Sequence, residues 1–373
     1  MSRLAKLILV SSDLKMGGHA PSYLDAWGHF LRSRNMSYEI RCLKYSAGTG
    51  HSLGSRCIKF LKNLLESLSF WIPTLLRREK DHRYLFVDAP CSFPLGIRWI
   101  TAGILSGWLA TRTYIICHAF PGGGDHPPVD SRPWRWKKYF KAAAVFAHSK
   151  ALREFLVNPV GLSPQVVHAS SWGCSPLHPG SPHRQGSALH LLFFGQYRSS
   201  KGLEWLWKEL QPLDFPCHLY IAISCTPQIG KQVEGCLAAI SKPGLIHRYS
   251  LKHASYFTDQ EIAALFDDVD LMVLPYERAH CLVSGLVYLA ASHGCPVVSS
   301  THSESGTIQV ENEFGFSFAP EDSDELRDGL KKFWQLPLEK QMAMRKCAEK
   351  FALSHSWDRA FDSILQVIEN HSG

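Results

Sequence analysis

The sequence predicts an α/β protein of two doubly wound domains, each a parallel sheet with helices on both faces, and a ligand cleft between the domains. Three observations carry this. Short, continuously apolar runs recur along the chain with helical patterns between them, as in a parallel sheet covered on both faces. The length of 373 residues exceeds what one compact core accommodates and suits two domains. Around residues 173–188 the stretch GCSPLHPGSPHRQGS breaks the alternation, with prolines and glycines and no periodicity, and the alternation then restarts.

The elements follow in order. KLILVSSD is a first apolar strand. A glycine turn and an amphipathic helix follow, apolar at Tyr23, Leu24, Trp27, Phe30 and Leu31. YEIRCL, YLFVDA, RTYIICH and AAVFAHS are further strands, each closed by small or polar residues, with helical material between them. After the linker come the strand LHLLFFG, the helix GLEWLWKEL, the strand CHLYIAIS and the helix DQEIAALFDDV. DLMVLPY, GLVYLAASHG and PVVSS then read as strand, helix and strand. The tail from Asp324 onwards is helical. The expected domains are 1–183 and 184–354, with the last helix, 355–373, packing back on the first domain. Ligands in such sheets bind where strand C-termini face the cleft.

Composition narrows the class. A net charge of +7 is mildly basic. It favours acidic ligands or an anionic membrane surface, and it falls short of a nucleic-acid footprint. The eleven cysteines are scattered, include no CxxC pair and lie partly in strand-like runs, as in TYIICH. That is the pattern of reduced core thiols in a cytoplasmic protein, with neither a disulfide framework nor a zinc site. KLILV is too short for the apolar core of a signal peptide. The apolar run between Arg98 and Arg112 is too short to span a bilayer, which needs about 20 residues.

Two stretches can carry chemistry. In LHLLFFGQYRSSKGLEWLWKEL the strand stops at Gly195, then Arg198 and Lys201 precede a helix that begins near Gly202. A helix N-terminus offers unpaired N–H groups and a positive dipole end, and the two cations add charge-assisted hydrogen bonds. The alternative is a solvated basic loop, and this stretch alone does not choose. LPYERAHCLVSGLVYLAASHGCPVV repeats the strand, loop and helix order, with Ser284 and Gly285 opening the helix. Two anion-competent helix starts in one domain suggest a diphosphate; the alternative is an ordinary N-cap beside a packing glycine.

Those motifs support a resemblance. FGQYRSSKGLEWL resembles the fGxxRxxKGlxxL element of retaining glycosyltransferase family 4 and its GT-B relatives. YFTDQEIAALFDDVDLMVLPY, SGLVYLAASHGCPVVSS and ENEFGFSFAPEDSDELRDGLKKF are similar to that family's following segments, so residues 189–335 resemble it throughout. The first half is similar more loosely, through GGH after the first strand, a strand ending in His118, and VFAHSKALREFL; HSWDRAF resembles the family's closing helix. The resemblance implies a GT-B fold of two Rossmann-like domains. It implies transfer of a sugar from a UDP- or GDP-linked donor to a glycan or lipid-linked acceptor, with retention. Arg198 and Lys201 would contact the diphosphate and stabilise the leaving nucleotide without a metal. His118 would face the donor sugar. Gly17 and Gly18 would form a turn that admits the diphosphate or acceptor. Gly195, Tyr276, Glu277, Ser284 and Gly285 would complete the donor site. No cofactor is implied beyond the nucleotide sugar as substrate.

One departure stands out. The family's two glutamates near this helix fall at Cys281 and Leu289 here; the "SG" branch lacks the pair, and Glu277 or Glu304 is a substitute by proximity. HAFPGGGDHPP is glycine-rich, lacks the lysine of a phosphate-binding P-loop, and reads as a cleft loop with Asp125 and His126. Residues 56–80 form a basic amphipathic pattern, with Leu61, Leu64, Leu65, Leu68, Ile72 and Leu75 on one face. Such a helix faces a core or, as the second reading, lies on an anionic membrane, so the expected location is cytoplasmic, with the inner face of the membrane as the alternative. Two rival functions stay open: a catalytically silent GT-B scaffold, and a GT-B sugar-nucleotide epimerase or hydrolase, for which no convincing set of carboxylates stands out.

Overall fold

A computed structural model describes residues 6–11, 20–42, 82–87, 110–118, 134, 137, 140, 142–180, 188–242, 244, 246–276, 284–320 and 322–371. In chain order the first elements are β1 (Lys6–Ser11), α1 (Ala20–Ser33), β2 (Tyr38–Cys42), β3 (His82–Phe86), β4 (Thr113–Cys117), β5 (Ala144–Ala147), α2 (Lys150–Val157) and β6 (Val167–Ala169). Next come β7 (Leu189–Gln196), α3 (Leu203–Leu210), β8 (Cys217–Ser224), α4 (Pro227–Ile240), β9 (Arg248–Ala254), α5 (Asp259–Phe266), β10 (Leu271–Leu274) and α6 (Gly285–Ser292). The last are β11 (Val297–Ser300), α7 (Ser305–Glu311), β12 (Gly315–Phe318), α8 (Ser323–Trp334), α9 (Leu338–Ser354) and α10 (Trp357–Asn370).

The chain divides into two compact units. The first comprises Met1–Ser171 with Trp357–Gly373, and the second Trp172–Ser356. The division falls upstream of residue 183 because the chain from Trp172 on bonds within the second unit. The Cys174, His178 and Gly180 N–H groups donate to the carbonyls of His355, Ser292 and His293.

In the first unit the six strands lie in the order β2-β1-β3-β4-β5-β6, all parallel. The apolar residues of β1, β3, β4 and β5 are buried, as strands covered on both faces require, while the edge strands β2 and β6 are only partly buried. The chain leaves β1 for β2 and then crosses to β3 on the other side of β1, which makes the β1/β3 boundary a topological switch point. α1 buries Tyr23, Leu24, Trp27, Phe30 and Leu31, the spacing of one helix face. α10 closes on that face: the Trp27 and Phe361 rings stack at 4.0 Å, and Arg34 pairs with Asp362 at 2.6 Å.

The second unit repeats the construction, in the order β12-β11-β10-β7-β8-β9 and again all parallel. One sheet face carries Leu191, Phe193, Leu219 and Ile221 and packs with Leu206, Trp207, Leu237 and Leu330. The opposite face carries Leu192, Phe194, Ala222 and Met272 and packs with Phe266, Val287, Ala290 and Phe351. Period-two alternation of one strand set thus feeds two cores. Arg345 is buried beside them and donates to the carbonyls of Val269 and Gly294. Strands β7 and β10 are neighbours although β8 and β9 intervene in sequence, so the switch point of this sheet lies between β7 and β10.

Candidate functional site

The two loops singled out in the sequence follow the two strands that flank this switch point. β7 runs Leu189–Gln196, and its penultimate residue, Gly195, has a φ of +122°, a conformation that residues with a side chain rarely adopt. The chain then makes a 3-10 turn over Ser199–Lys201, and Gly202, in the left-handed region at φ of +73°, turns it into α3. The α3 start is anchored away from the loop: the Tyr197 hydroxyl donates to Glu204 at 2.6 Å. Arg198 is exposed, and its Nη2 donates to Gln196 Oε1 at 3.4 Å.

Gly195 also decides where Lys201 goes. A Cβ at Gly195 would stand 3.1 Å from Lys201 Nζ and 3.2 Å from Leu286 Cδ1. The missing side chain therefore lets the ammonium approach the first turn of α6. That turn is capped by Ser284, whose Oγ accepts from the Leu286 N–H at 3.3 Å and from the Tyr276 hydroxyl at 2.8 Å. The Ser284 N–H donates to Ser305 Oγ at 2.9 Å, and the Ser305 N–H to Ser303 Oγ at 3.1 Å. Gly285 is small for a reason of its own, because the Trp172 indole lies where its Cβ would be. One cation-bearing loop and one capped helix start thus meet at the C-terminal ends of adjacent strands, an arrangement suited to a bound anion.

In the first unit, His118 sits at the end of β4. Its Nε2 bonds the Val87 carbonyl at 2.7 Å, which puts the proton on Nε2 and leaves Nδ1 as the acceptor nitrogen. Its ring lies 4.6 Å from that of His148, which follows β5, and edge-on to Tyr23 at 5.1 Å. Burial, and next the neighbouring His118, hold His148 well below the usual histidine range, so it is neutral at pH 7. Ser170 bonds its Nδ1 at 2.9 Å.

Residues 188–335 match the family model described as Glycosyl transferases group 1. No curated protein sequence matches the chain. Solved structures do. A sucrose-phosphate synthase from Thermosynechococcus elongatus superposes with a TM-score of 0.73 at 12% identity, covering 98% of each chain. A glycosyltransferase from Rickettsia africae ESF-5 gives 0.70 at 12% identity, again over 98% of each. HepE of Anabaena, solved in complex with UDP-glucose, gives 0.64 at 14% identity over 98% of this chain and 99% of that one. This is the GT-B fold. Two parallel six-stranded sheets with flanking helices correspond to its two Rossmann-like domains, and the stretch that matches the glycosyl transferases group 1 model lies within the second unit.

Within the GT-B fold, the structure gathers Gly195, Lys201, Tyr276, Ser284 and Gly285 in the second unit, with Arg198 in the adjoining turn, and places His118 at a strand end of the first. Gly17, Gly18 and Glu277, with Cys281, Asp125, His126 and the basic pattern 56–80, lie outside the described residues. Leu289 packs against the apolar cluster behind α6. Among the described residues no three His, Cys, Asp or Glu side chains gather as a metal site, and no helix is long and apolar enough to cross a membrane.

Sequence reasoning passed over His148, Ser170, Ser303 and Ser305. A signal for the first was present: IICH and VFAH are both buried strands ending in histidine. The serines carry no such pattern, since their role depends on which strand ends become neighbours.

Proposed function

We propose that this chain transfers a sugar from a UDP- or GDP-linked donor to a glycan or lipid-linked acceptor, as a family 4-like enzyme that retains configuration. The observation that carries the reading is the meeting of Lys201 with the Ser284-capped start of α6 across Gly195, at the switch point of the domain matched by the family model. A diphosphate there would lie between the Lys201 ammonium and the positive end of α6. Arg198 and Lys201 would stabilise the charge that develops on the leaving nucleotide, so this chemistry asks for no metal. His118, bonded through Nε2 to the Val87 carbonyl, would face the donor sugar. HepE, with the same fold, was solved with UDP-glucose, which supports a nucleotide sugar as the ligand class. The basic pattern 56–80 would bring the enzyme to the cytoplasmic face of an anionic membrane, where lipid-linked acceptors reside.

Calorimetric titration of the purified protein with UDP-glucose, other UDP-sugars and GDP-sugars tests this. One of them should bind, and Arg198→Ala with Lys201→Ala should weaken it by at least about tenfold, the loss of charge-assisted bonds. Absence of binding by every sugar nucleotide would overturn the reading. Leu289, apolar where family members place a glutamate, favours a second reading as a binding protein without turnover. Release of free UDP or GDP in the presence of acceptor extract separates the two.

A further inference from the structure

The turn that carries Arg198 and Lys201 is closed by two backbone bonds, from the Lys201 N–H to the Arg198 carbonyl at 3.0 Å and from the Gly202 N–H to the Ser199 carbonyl at 3.2 Å. Arg198 and Ser199 are exposed. Neither the 3-10 turn nor α3 has a side-chain cap, and the N-cap of α3 is Gly202, which has no side chain to offer. The residues on either side of the turn supply the missing tie. Tyr197 precedes Arg198, and Glu204 lies in the first turn of α3. The Tyr197 hydroxyl donates to Glu204 Oε1 at 2.6 Å, the length of a charge-assisted O–H···O bond. Burial, and next Glu204, push the Tyr197 phenol well above its ordinary range, so it stays a donor. The core fixes both ends of this bond. The Tyr197 ring packs against the apolar cluster of the second unit, and its N–H donates to the Ser224 carbonyl at 3.1 Å. Glu204 stands between Leu203, which is fully buried, and Trp205, whose ring stacks on Phe318 at 5.7 Å.

We infer that Tyr197 and Glu204 are positioning residues: their bond clamps the turn between them in one shape, so that Arg198 and Lys201 are held in place before a ligand arrives. The role of the two cations rests on the nucleotide-sugar reading above; the clamp itself does not. A turn ordered in advance loses less freedom when a ligand binds, so the clamp raises affinity without either residue touching the ligand.

The test combines amide hydrogen exchange with calorimetry on the full chain, using UDP and inorganic pyrophosphate as probes. Tyr197→Phe keeps the ring and removes only the donor. It should speed exchange of the Lys201 and Gly202 amides by about tenfold, the loss of a bond to a charged group, while the amides of α8 keep their rates. It should also weaken UDP by about threefold, because the turn must then be ordered on binding. Glu204→Ala should do the same. Glu204→Gln keeps an acceptor oxygen and should restore most of both losses. The double variant Tyr197→Phe with Glu204→Ala should exchange no faster than the faster single variant, since both remove one bond. Unchanged exchange in Tyr197→Phe would overturn the inference, as would a double variant whose effect is the product of the two single effects. Faster exchange with unchanged affinity for both probes would also overturn it, because the clamp would then position nothing that the ligand needs. Wild-type protein that binds neither probe would overturn the nucleotide-sugar reading, and the exchange rates alone would then uphold or overturn the clamp.

Discussion

Gly195 shows how much one missing side chain does. Its φ of +122° excludes an easy alanine, and the space a Cβ would take is bounded by Lys201 and Leu286. Gly195→Ala should therefore destabilise the protein by about 1–3 kcal/mol, read from the urea midpoint, and should also weaken nucleotide binding. Gly244 is the control, because its φ is +74° but nothing lies within 4 Å of a Cβ there. Gly244→Ala should share part of the stability loss and none of the binding loss. Equal binding losses in both would mean that Gly195 acts only through the backbone. His118 and His148 make a similar point. Each looks like an isolated histidine in the sequence, yet the fold brings their rings to 4.6 Å and leaves the second one neutral.

At the scale of elements, strands and helices with unbroken apolar or 3.6-residue patterns were legible. β7, β8, β10 and β11 are buried runs, and α1, α3 and α8 each bury one face. β9 was not legible. RYSLKHA alternates between half-buried and exposed residues because it is an edge strand, so no apolar run marks it. α4, opened by Thr226 and Pro227, carries small and polar residues through most of its length, and its buried set is only Gly230, Val233 and Leu237. α10 is the element with the most testable packing. Phe361 is fully buried and stacks on Trp27 and Trp357 while Tyr23 and Phe30 meet its edges. Phe361→Ala should cost about 3–5 kcal/mol, the range for a large aromatic removed from a core. The loss should appear as a lower thermal midpoint with protease cleavage near the C-terminus. A shift of under a degree would mean that α10 is not held by this face.

For the whole molecule, five described histidines that burial or partial burial holds below the usual range should contribute to the acid response. Burial is the first cause lowering His148, His168, His218, His247 and His293. Each keeps its proton less readily in the folded chain than in the unfolded one. Below about pH 6.5, the ordinary histidine value, the unfolded state therefore binds more protons, and stability falls as pH falls. Above that value the contribution is complete and the curve is flat. A group of this kind adds a slope of up to about 1.4 kcal/mol per pH unit while it is titrating only in the unfolded chain. Urea midpoints at pH 7.5 and 5.5 should differ, and His148→Gln should shrink the difference. A midpoint that does not move between those values would contradict the lowered proton affinity of these rings. Glu39 behaves in the opposite range. Arg41, then Lys6, hold its carboxyl at about 2, so its contribution is lost only between about pH 4.5 and 2.

Local sequence pattern was enough to show a doubly wound α/β protein, where most of the strands and helices lie, and that two glycine-bearing loops follow strands in its second half. Those are local properties, because a strand or helix declares its buried face through the period of its own residues. Only the tertiary structure decided that β7 and β10 are neighbours, and so that Lys201 reaches the turn that Ser284 caps. It also decided that the Tyr276 hydroxyl bonds Ser284 and that His148 lies against His118. These depend on which distant segments pack side by side. That choice is made by the fit of whole sheet faces and crossovers, and no single stretch of chain records it.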